Sequence, residues 1–298
     1  MNQRLGFGVA LVVMGAGWGL TQPLGKMAVS SGYQHFGLIF WQLVVGVLAL
    51  GAVALVRRKP LPLTADGLRF ALVIAVIGTI IPNSFFYYSV ARLPSGIMSI
   101  LISLVPLLAF PMALALGMDR FSLTRLAGLF CGLLGVALIA LPAASLPSPA
   151  MVAFLPMALI GPLFYAAESN YVARFGMAGL DAVQAMLLAS AVGAVIALPL
   201  ALASGQFIDP LVPWGRAEWA LVASSTLHAV VYAGYVWLAA NAGAVFAAQT
   251  SYVVTGTGVL WAMLLLGERF SSWVWAALAV MLVGLFLVQP RARVVEPG

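Results

Sequence analysis

Apolar residues in this chain are grouped into long runs, separated by short segments that carry charges, prolines and glycines. A helix needs about 20 apolar residues to cross the hydrocarbon layer of a bilayer. On that criterion the chain has ten predicted membrane helices, with approximate bounds 5–29, 35–56, 68–90, 95–117, 122–141, 152–173, 180–202, 217–239, 245–266 and 271–289. The connecting segments are too short for a soluble domain. The pattern therefore predicts an all-α integral membrane protein.

Composition agrees with this prediction. Hydrophobic residues make up 63% of the 298 residues and charged residues only 7%, whereas soluble domains carry about 25% charged residues. The one cysteine, Cys131, lies inside an apolar run, which excludes an intramolecular disulfide and disfavours a metal–thiolate site. We expect no cofactor and no metal. We also expect the net charge of +6 to reflect membrane topology and not the binding of nucleic acid.

The second half of the chain repeats the first at a spacing of about half the chain length. Residues 91–121 match residues 240–270, and the charged turn that begins at Asp119 matches the turn that begins at Glu268. Because each unit has five helices, an odd number, the second unit must enter the membrane from the opposite side. The pattern predicts ten transmembrane helices arranged as two inverted five-helix repeats. These repeats comprise residues 1–146 and 147–298.

Lysine and arginine residues indicate the orientation, because the cytoplasmic loops of membrane proteins are enriched in them. With the N-terminus inside, ten of these residues fall on the inner side: Arg4, Arg57, Arg58, Lys59, Arg69, Arg120, Arg125, Arg174, Arg291 and Arg293. The remaining four fall outside: Lys26, Arg92, Arg216 and Arg269. We therefore expect both termini in the cytoplasm and a multi-pass protein of the plasma membrane, which in bacteria is the inner membrane.

An inverted repeat favours a carrier, since two equivalent halves can exchange conformations and expose a site between them to each side in turn. The motifs of hydrolytic and nucleotide-using enzymes are lacking, including His-Glu-x-x-His, a phosphate-binding glycine loop and Gly-x-Ser-x-Gly. A gradient must then supply the energy for transport. The sequence predicts a protein that is not an enzyme, while a passive channel and a membrane enzyme stay open as alternatives.

Several short motifs resemble those of the drug/metabolite transporter superfamily with its EamA-type repeats. They are Gly17-Trp18-Gly19 followed by Lys26, the segment 91–94 before the fourth helix, Pro106 within that helix, and Leu-Gly-Glu-Arg-Phe at 266–270. The resemblance covers essentially the whole chain. It implies a ten-helix exporter of small metabolites, which in different branches are amino acids, purines, cationic drugs or sugar conjugates. The first repeat departs from the pattern in having Asp119 where the second has Glu268.

Apart from Asp181 and Glu218, each of which is the second residue of its run, Glu168 is the only acidic residue inside the ten runs, and placing an ionisable group within a membrane helix costs about 2.5–3.5 kcal/mol or more. Phe164, Tyr165 and Tyr171 share its face of the sixth helix. We predict that Glu168 binds the ammonium group of a substrate or carries a coupling proton. The alternative is a carboxylate near the helix end that reaches cytoplasmic water or pairs with Arg174.

His228 lies at the midpoint of the eighth run and shares a helical face with Ser225, Tyr232 and Tyr235. A histidine at this depth can hold a substrate by hydrogen bonds or act as a coupling group. The alternative is a neutral histidine that is bonded to a neighbouring helix. In the alignment of the two repeats, Glu168 corresponds to Thr21 and His228 corresponds to Thr79, so both titratable groups come from the second half.

Polar and aromatic residues on other helices complete the predicted lining of a site. The predicted substrate-binding residues are Trp18, Thr21, Gln22, Asn83, Tyr87, Ser99, Tyr165, Glu168, His228, Tyr232, Gln249 and Tyr252. Each polar member could instead bond a neighbouring helix. Trp237 and Trp261 are further candidates for apolar walls, and Lys26 is a lower-ranked site residue.

Small residues recur at intervals of four on two helices, which predicts close helix packing. They are Ser95, Ser99 and Ser103 on the fourth helix and Gly243, Ala247, Ser251 and Thr255 on the ninth. Pro106 and Pro111 each remove a backbone hydrogen bond, which predicts a kink in the fourth helix. Gly256 gives the ninth helix flexibility at the corresponding depth. Pro106, Pro111 and Gly256 are therefore the predicted hinge residues.

The sequence thus predicts a secondary transporter that exports a small amphipathic metabolite by alternating access, with amino acids as the leading substrate class. An aromatic lining with one carboxylate suits a zwitterion that has an apolar side chain, but it also suits a lipophilic cation, and purines remain an alternative. The membrane runs contain no arginine cluster, which disfavours phosphorylated substrates. The expected partners are a small-molecule substrate and the lipid bilayer. The sequence leaves open the oligomeric state, including a homodimer, and coupling to protons.

Overall fold

The structure is a computed structural model that describes residues 3–242, 246–247 and 249–288. Within these residues it has helices and turns and no β-strand. Gly243, Arg291 and Arg293 lie outside the described residues, as does the side chain of Arg4.

Ten long helices account for the described chain once adjoining segments are joined. They are α1 Gln3–Ala28, α2 His35–Arg57, α3 Ala65–Val90, α4 Ser95–Ala115, α5 Leu123–Ala140, α6 Leu155–Phe175, α7 Ala182–Ala203, α8 Arg216–Ala242, α9 Thr250–Leu266 and α10 Ser272–Leu287. By length and composition, α1 to α7 can cross a membrane, and the shorter α9 and α10 are also apolar. The prediction of ten helices is confirmed.

Polar caps set the ends of the helices and account for shifts from the predicted bounds. The apolar run predicts a third helix from residue 68, but α3 begins at Ala65 because the Thr64 hydroxyl accepts the backbone N–H of Gly67 at 3.1 Å. Likewise Asp181 precedes α7 and forms a capping box with Gln184. Such caps satisfy backbone donors that the first turn of a helix leaves free.

Helix packing follows a two-fold exchange between the halves of the chain. Helix α1 packs on α8 and α9, and its equivalent α6 packs on α3 and α4. The equivalent pairs α2 and α7, α4 and α9, and α5 and α10 pack on each other. When each helix of one half is replaced by the equivalent helix of the other half, which is five helices away along the chain, the main contacts are the same. Two inverted five-helix repeats are the architecture of the described chain.

Helix α4 is broken into two segments, Ser95–Leu101 and Leu104–Ala115. Pro106 has no N–H to donate to the carbonyl of Ile102, and the N–H of Val105 bonds that carbonyl instead at 3.1 Å. The break therefore lies where Pro106 predicts a kink. Helix α4 continues past Pro111 and α9 continues through Gly256 without interruption. Motion at these three residues stays a prediction.

The two equivalent charged turns make different contacts. Glu268 accepts hydrogen bonds from the backbone N–H groups of Ser95 at 2.7 Å and Gly96 at 3.0 Å, so it holds the start of α4. Asp119 stays within its own half, where it pairs with Arg125 and accepts the N–H of Arg120 at 2.7 Å. The repeat is thus symmetric in fold and asymmetric in these contacts.

We call the end of the bundle that holds Glu268 the Lys26 end, since Lys26 donates there to the carbonyl of Leu93 at 2.7 Å. We call the opposite end the Arg57 end.

Asp181 joins the two halves at the Arg57 end. Its Oδ2 lies 3.1 Å from both Arg57 Nη2 and Lys59 Nζ, and its Oδ1 accepts the N–H of Gln184 at 3.0 Å. Burial by itself would raise the pKa of the Asp181 carboxyl, but Gln184 and the two cations outweigh burial and the pKa lies below its ordinary value. The resulting stabilisation is therefore present at neutral pH and is lost as the pH falls through the lowered pKa.

We predict that Asp181→Ala lowers the free energy of unfolding by about 1–2 kcal/mol, because it removes a helix cap and two ion pairs. Asp66→Ala is the matched control, since Asp66 pairs only with Arg69 at 3.4 Å and both side chains are 81% exposed. Thermal unfolding of the purified protein in detergent at neutral pH tests this. Equal melting temperatures for the two variants would contradict it.

Candidate functional site

A cavity of about 320 Å³ lies between the two halves and is lined by every described helix except α5 and α10. Nine of the twelve predicted substrate-binding residues line it: Trp18, Thr21, Gln22, Asn83, Tyr87, Tyr165, Glu168, His228 and Tyr232. Pro106 lines it as well, directly after the break in α4. The positions that correspond in the two repeats, Thr21 with Glu168 and Thr79 with His228, all meet around this one cavity.

The other three predicted residues do not line the cavity. Ser99 is fully buried, its hydroxyl donates to the carbonyl of Ser95 at 3.2 Å, and its side chain packs where Gly258 of α9 has none. Ser99 thus belongs to the close contact of α4 with α9 that the small residues predict. Gln249 and Tyr252 lie at the start of α9 and do not line the cavity, although Ser251 between them does.

The remaining wall candidates also serve packing. The Trp237 ring lies 5.9 Å from the ring of Phe7, and Trp261 Nε1 donates to the carbonyl of Ala16 at 3.0 Å. Neither residue lines the cavity, nor does Lys26. A tryptophan in a membrane helix contacts a neighbouring helix or a cavity equally well, so sequence position alone does not separate the two.

A chain of hydrogen bonds crosses one wall of the cavity. Tyr165 of α6 donates its hydroxyl to Asn83 Oδ1 at 2.8 Å, and Asn83 Nδ2 donates to Gln42 Oε1 at 3.2 Å. The same Gln42 oxygen accepts the hydroxyl of Tyr87 at 2.8 Å. These bonds fix four side chains from three helices in one arrangement, because hydrocarbon offers them no other partners.

His228 is held in place by a hydrogen bond from the first helix. Trp18 Nε1 donates to His228 Nδ1 at 3.1 Å, which makes Nδ1 an acceptor and leaves Nε2 as the nitrogen that carries the proton in a neutral ring. The Trp18 ring also contacts Tyr235, with centroids 5.3 Å apart. His228 therefore combines both interpretations made from the sequence, since it bonds a neighbouring helix and also lines the cavity.

Glu168 differs from these residues in having no hydrogen bond or ion pair to its carboxylate within the described part of the chain. It is half-buried and lines the cavity. The alternative partner Arg174 instead donates to the carbonyl of Leu116 at 3.4 Å and lies over the ring of Phe175. Glu168 consequently presents an unpaired acceptor to the cavity. No group of three His, Cys, Asp or Glu side chains able to hold a metal lies among the described residues.

A model of the EamA-like transporter family matches residues 6–141 and 153–289. The chain belongs to the EamA-like transporter family. It is therefore a multi-pass membrane transporter of the drug/metabolite type, and the two matches fall on its two five-helix repeats. The chain is also similar to a solved structure described only as "Crystal structure of protein", with a TM-score of 0.62 and 19% sequence identity. That likeness covers 96% of this chain and 97% of the other, and it shows the fold alone. No curated protein matches the chain significantly.

Sequence reasoning missed several lining residues of this EamA-like transporter. They include Gln42, Gly78, Thr79, Phe86, Met186, Ser224, Ser251 and Val254. Gln42 could have been found, since it is the polar side chain in the middle of an otherwise apolar α2. Gly78 carried no signal, because the chain has 30 glycines and only the structure shows what lies against each one.

We predict that Gln42→Leu destabilises the transporter by about 1–3 kcal/mol, because it leaves the donors of Asn83 and Tyr87 without their shared acceptor. Gln22→Leu is the matched control, since Gln22 lines the same cavity and makes no hydrogen bond within the described residues. Thermal unfolding in detergent compares the two variants. If Gln22→Leu proves as destabilising as Gln42→Leu, the hydrogen-bonded wall is not what holds these helices together.

Proposed function

We propose that this EamA-like transporter exports small amphipathic metabolites that carry an ammonium group, with amino acids as the leading class. The observation that carries the proposal is the Glu168 carboxylate, which faces a cavity between the two halves without a protein partner. A carboxylate in a partly dehydrated site attracts a cation strongly, since the surroundings screen the charge less than water does. A substrate ammonium group would supply the missing partner.

The rest of the cavity suits a small substrate with an apolar part. Its volume of about 320 Å³ is at the lower end of the range for ligand pockets. Trp18 and Tyr232 offer aromatic surface, while Gln22, Ser224 and Ser251 offer uncharged polar groups. These groups can donate hydrogen bonds to the carboxylate of an amino acid.

Export of lipophilic cations is the second candidate function. One observation favours it, namely that no lysine or arginine is among the lining residues of the described cavity. An amino-acid carboxylate would therefore be bound by uncharged donors alone. An amine without a carboxylate makes no such demand on the site, so comparing an amino acid with the matching amine separates the two candidates.

Alternating access is the mechanism that the architecture supports best. The main helix contacts are unchanged when the two halves are exchanged, so an exchanged conformation has equivalent packing available. The charged turns differ, since Glu268 holds the start of α4 while Asp119 pairs with Arg125. In the exchanged state Asp119 would hold the equivalent segment of the second half, and the hydrogen bonds from the start of α4 to Glu268 would be broken. The distribution of basic residues supports an orientation with the Arg57 end in the cytoplasm and the Lys26 end outside.

We expect Glu168→Gln to weaken substrate binding roughly tenfold or more, because an amide replaces the charge that binds the ammonium group. Counter-flow in proteoliposomes tests this: vesicles are preloaded with unlabelled leucine, and the entry of labelled leucine is followed. The same assay with isoamylamine, which lacks the carboxylate, tests the second candidate function.

Glu218→Gln is the control for this experiment, since Glu218 lies away from the cavity and bonds Tyr33. Its counter-flow should match that of the wild type. Unaltered exchange of both probes by Glu168→Gln would remove the functional role of Glu168. Flux of either probe without saturation would instead favour a passive channel.

Opposite effects are predicted for the two charged turns. A cysteine in place of Gln22 reports whether the cavity is open to the outside. Glu268→Gln should increase labelling of this cysteine from outside about tenfold, because hydrogen bonds to a charged carboxylate are worth roughly 1.5–3 kcal/mol and the substitution weakens them. Asp119→Asn should decrease that labelling, because it weakens the contacts available to the exchanged state. A membrane-impermeant maleimide measures both in a Cys131→Ala background. Changes of the same sign in the two variants would be inconsistent with exchange between the halves.

A further inference from the structure

Gly78 lies in the cavity wall directly against the Glu168 carboxylate. A Cβ atom built on Gly78 would come within 2.5 Å of Glu168 Oε1 and 2.6 Å of Glu168 Cδ, whereas ordinary van der Waals contacts of Cβ atoms are 3.4–4 Å. The carboxylate therefore occupies the space that any other residue at position 78 would need for its side chain. Because Gly78 has no side chain, the Glu168 carboxylate can lie directly against the backbone of α3.

The local backbone explains why Gly78 is presented in this way. Pro82 has no N–H to donate to the carbonyl of Gly78 four residues earlier, and the helix widens into a π turn over Ala75–Ile80. Within that turn the N–H of Ile81 bonds the carbonyl of Val76, five residues earlier. The irregularity thus coincides with the point at which α3 meets the carboxylate of α6.

Close packing of α3 on α6 limits where the Glu168 side chain can go. A Cβ built on Gly161 of α6 would lie 3.7 Å from the carbonyl oxygen of Pro82, so the two helices also contact each other one turn along α3 from Gly78 and two turns along α6 from Glu168. With the helices held in this way, a side chain at position 78 would displace the flexible end of Glu168 and not the helix. The displaced carboxylate would then enter the space that the substrate uses.

We propose that Gly78 is a positioning residue, which sets the place of the Glu168 carboxylate and thereby the recognition of the substrate ammonium group. The inference rests on the proposed function of Glu168 and adds a residue that does not itself bind substrate by a side chain. Gly78→Ala should fold normally, because alanine is favoured over glycine in helices and the atoms it meets belong to the end of a flexible side chain. A residue that matters only for packing would behave differently, since its loss would lower stability.

The test is a set of four proteins: wild type, Gly78→Ala, Glu168→Asp and the double variant. Counter-flow of labelled leucine and labelled isoamylamine gives the apparent KM, and thermal unfolding gives stability. Gly78→Ala should raise the apparent KM roughly tenfold or more with an unchanged melting temperature. Glu168→Asp alone should also raise the apparent KM, because the shorter side chain does not bring the carboxylate to the position that it has in the wild type. In the double variant the shorter side chain clears the added methyl group, so its KM should be lower than that of Gly78→Ala.

Gly51→Ala is the matched control, since Gly51 lies in α2 with no atom within 4 Å of an added Cβ, and its KM should equal that of the wild type. A wild-type KM for Gly78→Ala, or independent effects that multiply in the double variant, would overturn the positioning role. Glu168→Gln, assayed beside the set, separates this from failure of the proposed function. If that variant exchanges both probes as the wild type does, the proposed function falls and the inference falls with it. If it loses exchange while Gly78→Ala does not, only the inference is overturned.

Discussion

Hydrocarbon offers no hydrogen-bond partners, so the polar groups that line the cavity of this bundle depend on partners inside the protein or in the cavity itself. The side chains of Tyr165, Asn83 and Gln42 meet this demand by bonding one another, and Trp18 meets it by bonding His228. These bonds fix the shape of the cavity. The Glu168 carboxylate is the exception among the lining groups that could carry charge. This unpaired carboxylate is the reason for the proposal that a substrate ammonium group binds at Glu168.

The duplicated fold brings equivalent positions of the two halves to one site and gives them different chemistry. Thr21 and Glu168 line the same cavity from α1 and α6, as do Thr79 and His228 from α3 and α8. The main helix contacts are therefore equivalent in the two halves, while the different residues at equivalent positions make the two walls of the cavity unlike. The charged turns show the same relation at the ends of the bundle, where Glu268 crosses between the halves and Asp119 does not. The backbones of the two halves are thus arranged symmetrically, while their side chains make different contacts.

The ten helices and the inverted repeat could be predicted from the sequence, because apolar runs and an odd number of helices per unit leave few alternatives. Nine of the 20 lining residues could be predicted as well, since polar and aromatic residues within membrane helices are few. One error concerned which side of a helix faces the cavity: Ser99 is a polar residue of α4, but it packs between α4 and α9. Gly78 could not be predicted, because its role depends on a side chain 90 residues away in the chain and on a π turn next to Pro82.

Binding of three related compounds to the purified transporter tests the central claim most directly, namely that Glu168 recognises an ammonium group in the cavity. Leucine, isoamylamine and 4-methylpentanoate share one branched skeleton, but isoamylamine lacks the carboxylate and 4-methylpentanoate lacks the amine. We expect leucine and isoamylamine to bind, because both carry the ammonium group, and we expect 4-methylpentanoate not to bind. Binding of 4-methylpentanoate as tight as that of the two amines would contradict it.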